Sequence, residues 1–103
     1  MARVETSKGA ATLRPMLAKD EMLMAEFSDL EGSTDWKAYY RLKGRMTRAL
    51  DEALSTASWD GGFGELPADE IPVAFIKWDN ATEEEALPPD SGDSSETPSP
   101  AGS

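Results

Sequence analysis

Carboxylates are the side chains in this sequence that could most readily do acid–base or metal chemistry. Asp69, Glu70 and Asp79 lie around one predicted helix, and residues 83–85 are three consecutive glutamates. Paired carboxylates can share a proton or hold a divalent cation. The first turn of a helix and a solvated helix face favour the same residues without any such role. We prefer this second interpretation of the acidic residues.

Other catalytic and cofactor-binding side chains are missing. The sequence has no Cys and no His, which removes thiol nucleophiles, disulfides, the commonest general base and the commonest zinc ligand. The segment from Trp59 to Glu65 lacks the alternating Asp/Asn ligands of an EF-hand and the Gly-Lys-Ser/Thr of a phosphate-binding loop. We therefore expect no enzyme activity, no metal and no cofactor.

A stripe of cations is the clearest candidate binding surface. Its residues, at helical spacings of four, four and three, are Lys37, Arg41, Arg45 and Arg48. Lys43 lies nearby, and no acid occurs between Asp35 and Asp51. The stripe predicts a docking surface for an acidic protein, or for the C-terminal segment of this chain. The polar face of an ordinary amphipathic helix would have the same pattern.

Nucleic acid is an unfavourable partner for this chain. The net charge is −10, and residues 49–103 carry thirteen acids against one Lys. Such a surface repels phosphate.

Two aromatic residues in a glycine-rich loop are a second candidate for partner binding. Trp59 and Phe63 flank Gly61 and Gly62. Exposed aromatic residues often anchor protein interfaces, but the same pair could be the lid of a small core. Both interpretations remain open from the sequence.

The elements that would position these residues are three helices. Apolar residues recur every three or four positions from about Pro15 or Asp20 to Leu30, and again from Asp35 to about Ala57. A third helix follows Asp69, although residues 71–78 could also form a short buried strand. The predicted core is Leu23, Phe27, Leu30, Trp36, Tyr39, Tyr40, Met46, Leu50, Leu54, Ile71, Phe75 and Trp78.

The predicted fold class is all-α, with one small domain between two terminal segments. Residues 1–12 have little core material and are predicted to be flexible, and residues 13–86 form the helical domain. Residues 87–103 are rich in Pro, Ser and acids and predict a disordered acidic tail. With no apolar run of about 20 residues and no signal-peptide pattern, we expect a cytoplasmic protein without membrane contact.

A pattern spread over residues 13–92 resembles the tail assembly chaperones of long-tailed bacteriophages. It comprises Asp35-Trp36-x-x-Tyr39-Tyr40-x-Leu42, Leu50, Trp59, Glu65-Leu66-Pro67, Phe75-x-x-Trp78 and Ala86-Leu87-Pro88-Pro89-Asp90-Ser91-Gly92. The resemblance implies a small acidic helical protein that coats the long, helical tape measure protein before the tail tube assembles. It also implies a longer form, made by ribosomal frameshifting, that recruits tail tube subunits.

Two other functions are compatible with the composition. One is an acidic inhibitor of the anti-restriction or anti-CRISPR type, which mimics nucleic acid, and the other is a small structural or connector protein of the virion. Most acids of residues 49–103 lie in one late helix and in the C-terminal tail. This distribution weakens the hypothesis of a nucleic-acid mimic. Self-association into a homo-oligomer is compatible with all three functions.

Overall fold

The computed structural model describes residues 1–86, and its fold combines helices with a sheet. In chain order the elements are β1 (Ala2–Thr6), β2 (Gly9–Leu13), α1 (Ala18–Leu30), α2 (Trp36–Ala53), β3 (Leu54–Ala57), a short 3-10 helix (Gly62–Glu65) and α3 (Glu70–Ala86). The strands form an antiparallel sheet of order β1-β2-β3. The all-α prediction was therefore wrong. The predicted disordered tail, residues 87–103, lies outside the described residues.

The segment predicted to be flexible, residues 1–12, forms a β-hairpin. Its inward-facing side chains alternate with exposed ones, so that Ala2, Val4, Ala11 and Leu13 are buried. Two of these four are alanines, which is why the alternation is faint in the sequence. Gly9 allows the tight turn with a φ of 132°, and the Thr6 hydroxyl donates a hydrogen bond to the Gly9 carbonyl.

Helix α2 ends at Ala53, four residues before the predicted end, because the next residues pair with the hairpin. Leu54 takes an extended conformation with a ψ of 127°, and β3 then pairs antiparallel with β2. The Arg14 N–H donates to the Ala53 carbonyl, and the Ser58 N–H donates to the Ala10 carbonyl. Ser55 and Thr56 suit a strand at least as well as a helix, so strand pairing decides their conformation.

The core lies between the sheet and helices α2 and α3. Six predicted core residues are buried, namely Leu23, Met46, Leu50, Ile71, Phe75 and Trp78. Phe27, Leu30, Tyr39 and Leu54 are half-buried. The prediction was wrong for Trp36 and Tyr40, which are 61% and 59% exposed. Residues 71–78 are helical, as preferred from the sequence.

A buried ion pair joins the hairpin to the helices. Asp20, only 2% exposed, accepts hydrogen bonds at 2.9 Å from the Arg14 guanidinium and from the Leu17 N–H. The Trp78 indole N–H donates to the Arg14 carbonyl at 2.7 Å, and the Arg14 guanidinium lies 5.6 Å from the centre of the Trp78 ring. One short segment thus connects β2, α1 and α3.

No helix within residues 1–86 has both the length and the apolar character needed to cross a membrane.

Candidate functional site

The most distinctive surface of the molecule is a group of aromatic and aliphatic residues at the tip of the α1–α2 helical hairpin. This hairpin-tip cluster consists of Phe27, Leu30, Trp36, Tyr39 and Tyr40. The Trp36 and Tyr40 rings meet edge to face at 5.8 Å, and the Phe27 and Tyr39 rings are 6.4 Å apart. The cluster therefore presents two large exposed rings supported by half-buried ones.

The turn between α1 and α2 holds Trp36 at the hairpin tip. Gly32 has a φ of 78° and reverses the chain. Asp35 then caps α2, because its side chain accepts a hydrogen bond from the Ala38 N–H at 3.1 Å. The Ser33 hydroxyl in turn accepts a hydrogen bond from the Asp35 N–H at 3.0 Å. Trp36 is consequently the first residue of α2, at the outer end of the hairpin.

An open cleft of about 410 Å³ lies beside the exposed Trp36 ring. Its walls are Phe27 and Leu30 on one side and Trp36 and Tyr39 on the other, and loop residues 31–35 close one end. The cleft is lined by residues 27–39 alone, so neither the sheet nor α3 contributes to it. An apolar side chain from a partner would find aromatic walls there.

Cations lie over the aromatic rings of the cluster. The Lys43 ammonium is 4.9 Å from the centre of the Tyr39 ring and 5.0 Å from that of Tyr40. The Lys37 ammonium is 5.6 Å from the centre of the Trp36 ring. Exposed cation–π contacts contribute about 0.5–1 kcal/mol each. The hairpin tip is therefore both aromatic and basic.

The predicted basic stripe divides into one paired residue and three available ones. Arg45 donates two hydrogen bonds to the Glu26 carboxylate of α1, at 2.7 and 2.9 Å. These bonds lower the pKa of Glu26 and fasten α1 to α2. Within residues 1–86, Arg41 and Arg48 form no ion pair. Lys37, Arg41 and Arg48 therefore remain available to an acidic partner.

The second sequence candidate, the loop with Trp59 and Phe63, closes the core. Phe63 is 0% exposed, and the half-buried Trp59 meets it edge to face at 5.7 Å. The Trp59 indole N–H donates to the Gly62 carbonyl at 2.8 Å, and Asp51 accepts a hydrogen bond from the Phe63 N–H at 2.7 Å. Phe63 is thus not an exposed anchor that could insert into a partner, and the loop is the lid of the core.

The two candidate surfaces adjoin different parts of α2. Asp51, which holds the loop, lies fifteen residues after Trp36 on α2, or roughly 22 Å along the helix axis at about 1.5 Å per residue. The structure brings Lys37 and Lys43 to the hairpin-tip cluster. The loop packs against the middle and the end of α2, where Phe63 borders the same depression as Lys43 and Gly44.

Trp36 and Tyr40 were predicted to lie in the core and are instead exposed, although their positions on α2 carry a signal for this. Met46 is the middle residue of the buried row Leu42, Met46 and Leu50. At about 100° per residue around the helix axis, Tyr40 lies about 120° from Met46, and Trp36 lies about 80° from it. A full helical wheel, in place of spacings of three and four alone, places Tyr40 off the core face and Trp36 at its edge.

A groove between α2 and the segment leading into α3 is the second surface depression of interest. This α2–α3 groove, about 340 Å³ in volume, has Phe63, Leu66 and Ile71 as its apolar floor, and Gly44 stands in its α2 wall. It lies on the side of α2 from which Lys43 reaches the tyrosine rings.

The carboxylates singled out in the sequence do not converge. Among residues 1–86 no three carboxylates lie close enough together to hold a metal ion. Glu70 accepts a hydrogen bond from the Ser7 N–H at 3.0 Å, and hydrogen bonding by Ser7 lowers the pKa of Glu70. This carboxylate therefore fastens the start of α3 to the β1–β2 turn.

Comparison with known proteins gave no relative. No protein-family profile, no curated protein and no solved structure matches this chain at a significant level.

Proposed function

We propose that this chain is a non-catalytic protein-binding module that engages its partner through the hairpin-tip cluster and the adjoining face of α2. One observation carries the proposal: Trp36 and Tyr40, one helical turn apart, are both about 60% exposed, and Trp36 borders a largely apolar cleft. Leaving two such rings in water forfeits the free energy of burying them. Trp and Tyr are also the residues that most often dominate binding energy at protein interfaces.

The specific form of the proposal is a tail assembly chaperone of a long-tailed bacteriophage, acting in the host cytoplasm. Support comes from the resemblance, since its most closely spaced residues, Trp36, Tyr39 and Tyr40, belong to the hairpin-tip cluster. A tape measure protein presents a long series of apolar helical patches. An exposed aromatic tip would cover one such patch per copy of the chaperone. The frameshifted longer form would recruit the tail tube subunits.

Co-expression with the tape measure protein of the same phage tests this proposal. We expect the full chain to keep the tape measure protein in the soluble fraction and to co-purify with it. The double variant Trp36→Ala/Tyr40→Ala should lose both effects and keep its melting temperature within a few degrees, because both rings are exposed.

The matched control is the double variant Val73→Ala/Ile76→Ala, which removes two exposed aliphatic side chains from α3. It should behave as the unmodified chain does. A tape measure protein that stays insoluble with the unmodified chain would contradict the chaperone role. Equal solubilisation by both double variants would contradict the assignment of the surface.

A further inference from the structure

Gly44 has no role that the chain itself explains. It lies in the middle of the 18-residue helix α2, where a glycine is less favourable than alanine because of its greater backbone freedom. Its φ is not positive, and a Cβ built on it would meet no atom within 4 Å. Neither backbone geometry nor internal packing requires a glycine at this position.

The missing side chain opens the α2–α3 groove toward solvent. Gly44 stands in the wall of that groove, and Gly64, which also borders it, likewise has nothing within 4 Å of an added Cβ. The floor between them consists of the buried side chains Phe63, Leu66 and Ile71. A side chain at position 44 would stand at the edge of this apolar floor.

Gly44 also interrupts a ridge of large side chains. Residues four apart on the outward face of α2 form the row Trp36, Tyr40, Gly44 and Arg48. A gap in such a ridge is where the backbone of a second helix can approach most closely. The two exposed rings would then flank one side of the crossing point.

The charges around the gap are positive. Arg41 and Arg48 lie one turn to either side of it, and neither has an ion-pair partner within residues 1–86. No acid occurs on α2 between its cap, Asp35, and Asp51. Salt screens distant charges beyond about 8–10 Å, so a docked segment responds mainly to these cations and less to the net charge of the chain.

We propose that a helix of the partner crosses α2 at Gly44. Its apolar stripe covers the α2–α3 groove and the Trp36–Tyr40 ridge, and acidic residues beside that stripe face Arg41 and Arg48. This inference rests on the proposed protein-binding function and specifies the chemistry of the partner, an acidic amphipathic helix.

The test uses the full chain and two designed helical peptides of 21 residues. Both have the same leucine and alanine stripe, and they differ only in flanking residues, which are Glu in one and Lys in the other. Titration calorimetry should show that the Glu peptide binds at least tenfold more tightly than the Lys peptide. Equal affinities would overturn the proposed charge pattern.

Filling the gap at position 44 should weaken binding without lowering stability. Gly44→Leu should weaken binding of the Glu peptide at least tenfold, while the melting temperature stays the same or rises, because the position is open and helical. The matched control Ala25→Leu adds a side chain at an exposed position of α1 and should leave the affinity unchanged. Unaltered affinity in Gly44→Leu would overturn the crossing point.

A charge reversal tests the acidic flank of the partner. Arg48→Glu should weaken binding of the Glu peptide at least threefold. The control Lys8→Glu makes the same change of charge at an exposed residue of the β1–β2 turn and should have a smaller effect. Equal losses in the two variants would overturn the local role of Arg48.

Two other occupants of this surface would also overturn the proposal. One is the acidic segment 87–103 of this chain, whose docking a spin label on Ser99→Cys would reveal by broadening the α2 amide signals. The label attaches at this one position because the unmodified chain has no Cys. The other is a second copy, which light scattering would detect as a dimer that Gly44→Leu abolishes.

Failure of this inference can be told apart from failure of the proposed function. If Gly44→Leu still solubilises the tape measure protein, the function stands and the helix crossing is wrong. If the Glu peptide binds as described but the tape measure protein stays insoluble, the crossing stands and the chaperone role is wrong.

Discussion

Individual residues of α2 divide into those that hold the fold and those that face a partner. Arg45 is committed to Glu26, whereas Arg41 and Arg48 are unpaired within residues 1–86. All were equivalent members of one stripe in the sequence. Their difference arises from α1, which brings a carboxylate within hydrogen-bonding distance of Arg45 and of neither other arginine. That pairing depends on how two helices pack, and the spacing within one helix cannot predict it.

At the residue scale, the Arg14–Asp20 pair should be important for stability. Asp20→Ala removes the acceptor of hydrogen bonds from Arg14 and from the Leu17 N–H. We expect a loss of about 1–3 kcal/mol in the free energy of unfolding, because the half-buried Arg14 guanidinium and the Leu17 N–H lose a charged acceptor. Urea denaturation measures it. Asp29→Ala, at an exposed position of the same helix, should cost little, and equal losses would contradict a special role for Asp20.

The Glu26–Arg45 pair predicts a dependence of stability on pH. The hydrogen bonds that Arg45 donates lower the pKa of the Glu26 carboxyl below its ordinary value of 4.5. The pair therefore contributes to stability above about pH 4.5, and this contribution is lost as the pH falls from there through the lowered pKa of the folded state. Both side chains are partly exposed, so salt should weaken the effect.

The measurement compares the unmodified chain with Glu26→Gln in urea denaturation between pH 7 and pH 3. The difference in stability should be constant above pH 5.5 and shrink below pH 4.5. A difference that grows on acidification would contradict the assignment.

At the scale of elements, the sequence predicted the helices well and the sheet not at all. Three helices were expected, and residues 1–86 contain three α-helices, because their apolar faces repeat over many residues. The strands were missed for two physical reasons. Their inward positions are half alanine, and β3 has only four residues, directly continuous with α2. Only pairing over a separation of more than 40 residues makes β3 a strand.

The sheet should contribute to the core as strongly as the helices do. Leu13 is fully buried on β2, so Leu13→Ala should cost about 2–4 kcal/mol of unfolding free energy. Leu17→Ala, at a residue that is 48% exposed, should cost much less. Thermal and urea denaturation measure both. A Leu13 variant as stable as the unmodified chain would mean that the hairpin does not belong to the folded domain.

Helix α2 should become more stable when Gly44 is replaced by alanine. The position is helical and open, so Gly44→Ala should raise the free energy of unfolding by about 1 kcal/mol. The melting temperature of a domain of this size should then rise by about 4–8 °C, as calorimetry can record. A decrease would show that the glycine is required by the fold itself.

For the whole molecule, the candidate site was predicted in part. The face of α2 was singled out for its cations, and the structure adds the exposed rings beside them. The rings were assigned to the core because the prediction extended the core along the whole of α2. The first turn of α2 instead borders a cleft lined only by the α1–α2 hairpin. The tertiary arrangement determines which part of a helix extends beyond its neighbours.

The chaperone form of the proposal also predicts a second gene product. Expression of the native gene together with its downstream DNA should give a minor, longer protein with the same N-terminus, formed by frameshifting. Intact-mass spectrometry of all products detects it. A single product ending at Ser103 would count against the chaperone role and leave the protein-binding surface to be tested directly.

The most direct test of that surface uses the three tryptophans as internal reporters. The indole N–H groups of Trp59 and Trp78 donate to the Gly62 and Arg14 carbonyls, whereas Trp36 is exposed at the hairpin tip. In a proton–nitrogen NMR spectrum, adding a helical segment of the tape measure protein should shift the Trp36 indole signal and slow its exchange with water. The indole signal of the buried Trp78 should stay in place. A complex that forms while the Trp36 signal remains unchanged would contradict our account.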